Sequence, residues 1–230
     1  MRAALEAGLV QTGLTLTDRQ LEQFVQFGQL LVEKNQVMNL TAITEPTAVA
    51  QLHFLDSLTV LQAADCKGKT IIDVGCGAGF PGVPVAIAEP AAKVTLLDSL
   101  QKRMNWLNEV LPQLGVEATV VAARAEEYVL QHREQYDLAT SRAVARLNIL
   151  CELCLPYVKV GGKFLALKGA MTHEEVDEAQ KAIAVLGGRV AEILEFPVAE
   201  AIHRIVVIEK VKPTPKQYPR KFAKIKQTPL

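Results

Sequence analysis

Two hydrophobic periods divide the chain. Up to about residue 65, apolar positions recur at helical spacing: Leu21, Phe24, Val25, Leu31 and Val32 share one face, and Val49, Leu52, Leu55 and Leu58 share another. Thr17-Asp-Arg-Gln20 has the spacing of a capping box for the first of these helices. Asn39-Leu-Thr-Ala-Ile-Thr44 interrupts the pattern, and Thr44 is placed to cap the second helix with Pro46 in its first turn. From residue 70 onward short apolar runs take over. Strands are predicted at Thr70–Val74, Lys93–Leu97, Ala118–Ala122, Leu138–Thr140, Lys163–Leu167, Arg189–Glu195 and Arg204–Glu209. Helical stretches separate the first six, most clearly Leu100–Leu111, where Met104, Leu107 and Leu111 line one face. This alternation predicts an α/β fold, with a mainly parallel sheet covered by helices on both sides. A short link containing Pro197 joins the last two strands, which predicts an antiparallel final strand. The expected organisation is a helical N-terminal extension over residues 1–67, a main domain over 68–211 and a basic tail over 212–230.

The ten residues from Asp73 to Gly82 add chemistry to this pattern. They read as a strand end, a glycine turn and a helix start, the place where a ligand can lie against the main chain. Two registers fit. Gly77-Ala-Gly79-Phe-Pro-Gly82 matches the dinucleotide fingerprint, but it puts Pro81 where a pyrophosphate needs N–H donors. The register Asp73-x-Gly75-x-Gly77-x-Gly79 instead sets a carboxylate at the strand end with the glycines directly after it. That arrangement resembles the first motif of the S-adenosylmethionine-dependent methyltransferases. An acidic strand end suits the ammonium and sulfonium of that cofactor and would repel a pyrophosphate. The methyltransferase register is preferred, with Asp73, Gly75, Gly77 and Gly79 as cofactor-binding residues.

Composition narrows the setting. Half of the 230 residues are apolar and 22% are charged, as in an ordinary globular protein long enough for a full-sized core. No apolar run approaches membrane-spanning length and the first residues lack a signal-peptide pattern, so no membrane partner and a cytoplasmic location are expected. Cys151-Glu-Leu-Cys154 is a lone C-x-x-C in an apolar helical stretch, read as core, and no metal is expected. The net charge of zero is unevenly spread. The last twenty residues hold six basic residues and no acid, with Tyr218 and Phe222 interleaved. Such a segment fits a strand lying on nucleic acid, or a solubilising tail.

Ligands of open α/β sheets bind beyond the carboxyl ends of the strands. The second strand ends in Asp98-Ser99, where an acid can accept ribose hydroxyls or cap the next helix. The third leads to Arg124-Ala125-Glu126, placed to meet an adenine; the fourth to Arg142; the fifth to Lys168. Basic residues on three successive strand ends predict an anionic substrate. His53, on a helix face between Leu52 and Phe54, is read either as a buried structural residue or as a substrate contact.

Asn39-Leu-Thr41, His53-Phe-Leu-Asp-Ser57, the Asp73–Gly82 turn, Leu97-Asp-Ser99, Lys102-Arg103, Arg124-Ala-Glu126, Ser141-Arg-Ala143 and Leu167-Lys-Gly169 occur in this order. Together they resemble the bacterial small-subunit rRNA guanine-N-7 methyltransferases, the RsmG family, formerly called glucose-inhibited division protein B. The resemblance runs from about residue 35 to 210, and the closing Tyr-Pro-Arg-Lys221 extends it. It implies a Rossmann-like methyltransferase sheet with a helical N-terminal extension, S-adenosylmethionine as cofactor, and methylation of one guanine of 16S rRNA by a monomer. It further implies cofactor contacts at Gly75, Phe80, Ala125, Glu126 and Arg142. Arg142 and Arg124 are expected at the reacting centre, gripping phosphates or the guanine edge. Lys168, His53, Arg220 and Lys221 are expected to touch the RNA. Guanine N-7 carries a free lone pair, so no general base is required.

Overall fold

The computed structural model describes residues 1–230. Seven strands form one sheet: β1 (Thr70–Val74), β2 (Lys93–Asp98), β3 (Thr119–Ala122), β4 (Tyr136–Arg142), β5 (Val158–Lys168), β6 (Gly188–Val198) and β7 (Ala201–Lys210), in the order β3-β2-β1-β4-β5-β7-β6. The expected alternation holds, and the first strand has the expected limits. β7 is antiparallel to both neighbours, because a tight turn joins it to β6 and it slides between β6 and β5. All other neighbouring pairs are parallel. β4 and β5 outrun the expected Leu138–Thr140 and Lys163–Leu167, since Tyr136, Ser141 and Arg142 of β4 still pair with Val158, Ala166 and Leu167 of β5.

Helices α5 (Gly82–Ala88), α6 (Gln101–Leu114), α7 (Ala125–His132), α8 (Leu147–Cys154) and α9 (Thr172–Val185) connect the strands. α7, α8 and α9 cover one sheet face, where Phe164, Ala166, Val206 and Ile208 point. The alternate residues Leu165, Leu167, Ile205 and Val207 point to the other face. There α5 and α6 cover β1 and β2, and nothing from the crossovers covers β5 and β7. The N-terminal helices fill this gap. α1 (Arg2–Thr12) and α2 (Asp18–Met38) precede α3 (Pro46–Ala48), which runs through a π-helical segment (Val49–Leu55) into α4 (Asp56–Ala63). Phe24, Phe27, Phe54, Phe80 and Trp106 interlock there, with ring centroids 5.0–6.2 Å apart.

The capping box at Thr17 and Gln20 forms as anticipated. Glu45, not Thr44, caps the second N-terminal helix: its carboxylate accepts the Ala48 N–H at 2.7 Å, with Pro46 in the first turn. The C-terminal residues fold back across α8. Thr214 donates to the Leu186 carbonyl (2.8 Å), Arg133 donates to the carbonyls of Thr214 and Tyr218, and α10 (Phe222–Gln227) buries Ile225. No helix is long and apolar enough to cross a membrane. All four cysteines are buried, and burial pushes the Cys151 and Cys154 thiols well up, as suits core residues.

Candidate active site

A cavity of about 570 Å³ opens at the carboxyl ends of β1 to β4. Its floor is the glycine turn. The Leu97 carbonyl of β2 accepts the N–H groups of Gly75 (2.8 Å) and Cys76 (3.1 Å), which seats the turn on the sheet. Gly75, Gly77 and Gly79 have φ of 75°, 57° and 94°, the left-handed region that L side chains avoid. Their missing Cβ atoms serve different ends. A Cβ at Gly75 would meet Val144, one at Gly79 would meet Val83 and Leu107, and one at Gly82 would meet Leu96 and Asp73. Only at Gly77 does the space open into the cavity, with Arg103 Nη1 the nearest atom at 3.8 Å. The backbone of Gly75 and Gly77 lines the cavity, whereas Gly79 supports the turn from behind.

Asp73 lies beneath this floor, fully buried and outside the lining. Oδ2 accepts the Gly82 N–H at 2.8 Å and Oδ1 has no partner. Burial pushes its carboxyl up to about 7, against the opposing pull of the Gly82 hydrogen bond. A buried carboxylate with one unpartnered oxygen under an open glycine cradle fits a cationic ligand. The residues present thus suit the sulfonium and ammonium of S-adenosylmethionine, with Asp73 acting through its field.

At the second strand end, Asp98 Oδ2 accepts the Gly77 N–H (3.0 Å) and Oδ1 accepts the Leu100 N–H (2.8 Å), so the carboxylate joins turn to turn while facing the cavity. Arg103 stands 3.8 Å from Oδ2. Ser99 also lines the cavity. At the third strand end, α7 starts at Ala125 without a side-chain cap, which leaves the N–H groups of Ala125 and Glu126 as donors, that of Glu127 being bonded to the Arg124 carbonyl (3.1 Å). Glu126 Oε1 accepts Arg124 Nε at 3.0 Å, and the Arg124 guanidinium lies 4.8 Å over the Phe222 ring. Arg124, Ala125, Glu126 and Phe222 all line this end.

The opposite end is built on Arg142, whose side chain is 14% exposed. Nη1 donates to Asp56 Oδ2 (2.7 Å) and to the Leu52 carbonyl (3.0 Å), Nη2 stands 3.1 Å from His53 Nδ1, and the guanidinium lies 5.1 Å over the Phe80 ring. The π-helical segment presents this set: its wider turn brings Leu52, His53 and Asp56 toward one side chain. The His53 ring stacks on Phe80 with centroids 4.5 Å apart, and Nε2 meets Thr41 Oγ1 at 2.8 Å. Burial and the neighbouring Arg142 hold His53 down to about 4, so it is neutral at pH 7. Accepting from Arg142 at Nδ1 leaves Nε2–H to donate to Thr41, and both nitrogens are occupied. Asp56 is held below the usual carboxylate range by His203 and Arg142, although burial opposes them, and its Oδ1 meets His203 Nδ1 at 2.6 Å. The hydrogen bond to Asp56 raises His203 in turn.

Three expected substrate contacts fall outside the lining. Lys168 Nζ donates to Glu175 Oε2 (2.6 Å) and to the Ala145 carbonyl (2.7 Å), so its charge is spent in holding the loop after β4. Arg220 is bound to the fully buried Glu152. Lys221 is exposed at the start of α10. Conversely, Thr41, Arg103, Phe222 and the supports Asp56 and His203 were not singled out as site residues. Asp56 had a signal, since it follows His53 by three positions on one helix face. His203 had none, being brought in by the hairpin; Phe222 read only as an aromatic of the basic end, and the returning C-terminus brings it to the cavity.

Sequence comparisons say what kind of protein carries this cavity. The sequence model of the family described as rRNA small subunit methyltransferase G matches residues 20–203. The chain belongs to this family. Proteins named "Ribosomal RNA small subunit methyltransferase G" share it over nearly their whole length. That of Alkaliphilus metalliredigens is 49% identical over 223 residues, 94% of this chain and 93% of the relative. That of Clostridium botulinum strain Eklund 17B is 47% identical over 95% of this chain and 94% of its own. That of Acetivibrio thermocellus is 45% identical over 100% and 97%. Solved methyltransferases have the same fold. A SAM-dependent O-methyltransferase from Thermotoga maritima matches with a TM-score of 0.55 at 20% identity, over 80% of this chain and 73% of that one. A precorrin-6y C5,15-methyltransferase from Geobacter metallireducens matches with 0.55 at 14% identity, over 76% and 92%. In the methyltransferase G family, then, this sheet is the class I methyltransferase sheet that the resemblance implied, with helices added at its N-terminus.

Proposed function

We propose that this chain transfers the methyl group of S-adenosylmethionine to N-7 of a guanine in 16S rRNA, with Arg142 holding the reacting base against the methyl donor. Membership of the methyltransferase G family makes it an S-adenosylmethionine-dependent methyltransferase of small-subunit rRNA; the position on the base and the residue roles are our reading. When bound, the cofactor supplies an electrophilic methyl group on a sulfonium. Gly75 and Gly77 bring bare backbone to the cofactor, Asp98 and Ser99 take the ribose, and the first turn of α7 at Ala125 and Glu126 meets the adenine. Asp73 supplies negative potential from below.

One observation carries the choice of N-7: the acid and base side chains that line the cavity are already engaged or buried. His53 is neutral with both nitrogens bonded. Asp98 binds backbone N–H groups, and Glu126 binds Arg124. Cys76 is buried, its thiol pushed well up. Such a site withdraws no proton from its substrate, and guanine N-7 needs none withdrawn. What remains for the protein is alignment. The guanidinium of Arg142, fixed by Asp56, His53 and the Leu52 carbonyl, is an oriented donor that can face O6 of a guanine or a phosphate. Arg124, 44% exposed at the rim, adds field for the RNA backbone. Work on ribosomal RNA places the enzyme in the cytoplasm.

The test is methyl transfer from labelled S-adenosylmethionine to small subunits and to 16S rRNA, followed by strand scission at N-7-methylguanine. Wild-type protein should give a single scission site, and Arg142→Ala should lower the rate by about a hundredfold, as loss of an oriented donor does. Label that yields no scission would exclude N-7. An unchanged rate in Arg142→Ala would refute the role assigned to that residue.

A further inference from the structure

The cofactor cavity has a wall that neither the glycine turn nor the strand ends provide. Phe222 lines it at the end where Ala125 and Glu126 begin α7, beyond the ribose-facing Asp98 and Ser99. One carboxylate arranges this wall. Glu126 Oε1 accepts both Arg124 Nε (3.0 Å) and the backbone N–H of Phe222 (3.3 Å), and the Arg124 guanidinium lies 4.8 Å over the aromatic ring.

The segment behind Phe222 is built to stay in place. Arg220 grips Glu152 through its backbone N–H (2.8 Å), Nε (2.8 Å) and Nη2 (2.6 Å), and Glu152 is fully buried. Ile225, also fully buried, seats α10 in the apolar layer of α7 and α8. A solubilising tail has no use for a buried bidentate ion pair and an apolar anchor. Both flank the single residue that reaches the cavity.

We propose that Phe222 is a cofactor-contacting residue, and that the C-terminal segment closes the adenine end of the cavity by offering a purine an aromatic face. The inference rests on the S-adenosylmethionine reading given above. Its chemistry is stacking: every purine has a π-face, and a planar side chain in a half-enclosed site holds it without hydrogen bonds. The Arg124 guanidinium steadies the ring by cation–π contact. Arg124 thereby serves the cofactor side of the cavity as well as the RNA side.

Calorimetry on the full chain tests this with two ligands, S-adenosylmethionine and 5′-methylthioadenosine, which keeps the adenine and lacks the amino acid end. Phe222→Ala should weaken both by the same factor, about tenfold, as loss of one base-stacking ring does. Phe222→Tyr should bind both at wild-type strength. Phe222→Leu keeps apolar bulk to seat α10 but has no planar face, so it should bind as weakly as Phe222→Ala. Leucine or alanine variants that bind both ligands as tightly as wild type would overturn the proposal. A loss confined to S-adenosylmethionine would overturn it too, because the adenine would then lie elsewhere. Wild-type protein that binds neither ligand would refute the cofactor reading instead, a result distinct from either.

Discussion

The two chain ends both wall the same cavity, yet they are attached to the sheet in opposite ways. The N-terminal helices bring Thr41, His53 and Asp56 to the Arg142 end. They are held by a broad apolar contact in which Phe24, Phe27 and Phe54 are fully buried against Phe80 and Trp106. The C-terminal segment brings Phe222 to the other end, held by the Arg220–Glu152 pair, by backbone carbonyls and by one fully buried apolar side chain, Ile225. Apolar contact is additive and spread over many side chains, whereas a buried ion pair concentrates the attachment in two. One wall belongs to the core. The other is a clasp.

The contrast predicts different failures. Phe54→Ala should have the largest effect, about 3–5 kcal/mol of global stability, since it opens a cavity at the centre of the aromatic group. Denaturant melts should show a lowered midpoint for the whole chain. A loss confined to the N-terminal helices would mean that they form a separate unit and not part of the core. Arg220→Ala should come next. It strands the carboxylate of Glu152 in the interior and costs up to about 3 kcal/mol in docking of the last residues. Trypsin should then cut within residues 216–226 well before the rest, at a global melting temperature close to that of the parent.

The smallest effect concerns the floor that the two walls share. Asp73 has its carboxyl raised from 3.8 to about 7 by burial, so its burial penalty is absent below the lower value and complete above the higher. Asp73→Asn removes that dependence. Relative to wild type it should gain stability as pH rises from about 4 to about 7. Wild-type affinity for S-adenosylmethionine should tighten through the same window, because a cation binds the ionised carboxylate, and the variant should show a flat profile. Parallel melting and calorimetry at the two pH values check both statements. Parallel pH profiles for the two proteins would remove Asp73 from the account.

Much of this was legible in the sequence because it is local. A run of Thr70-Ile-Ile-Asp-Val74 followed by glycines can hardly be anything but a buried strand and a turn, and the strand-end rule then places Asp98, Ala125, Glu126 and Arg142 in one cavity. What was not legible depends on partners that no motif links. Lys168 and Arg220 read as available cations. Glu175 seven residues after the first and Glu152 sixty-eight before the second claim them. Charge in a sequence does not announce its counter-charge. The same holds for the sheet: a Pro197 link implied an antiparallel final strand, but no local signal said that β7 would insert between β5 and β6. Hydrophobic periodicity revealed the N-terminal helices, whereas the C-terminal clasp is polar and aperiodic and so carried no comparable mark.

The insertion of β7 has a consequence for how copies of the chain meet one another. It pushes β6, eleven residues long, to the rim of the sheet, while the opposite rim is the four-residue β3. A long bare rim strand invites pairing with another chain. Here the ladder shifts register between Val190 and Glu192, exposed Arg189, Glu192 and Glu195 line the rim, and the exposed Pro197 lacks an N–H to offer. The strand that completes the sheet thus also refuses to extend it, which keeps one molecule from templating the next in a crowded cell.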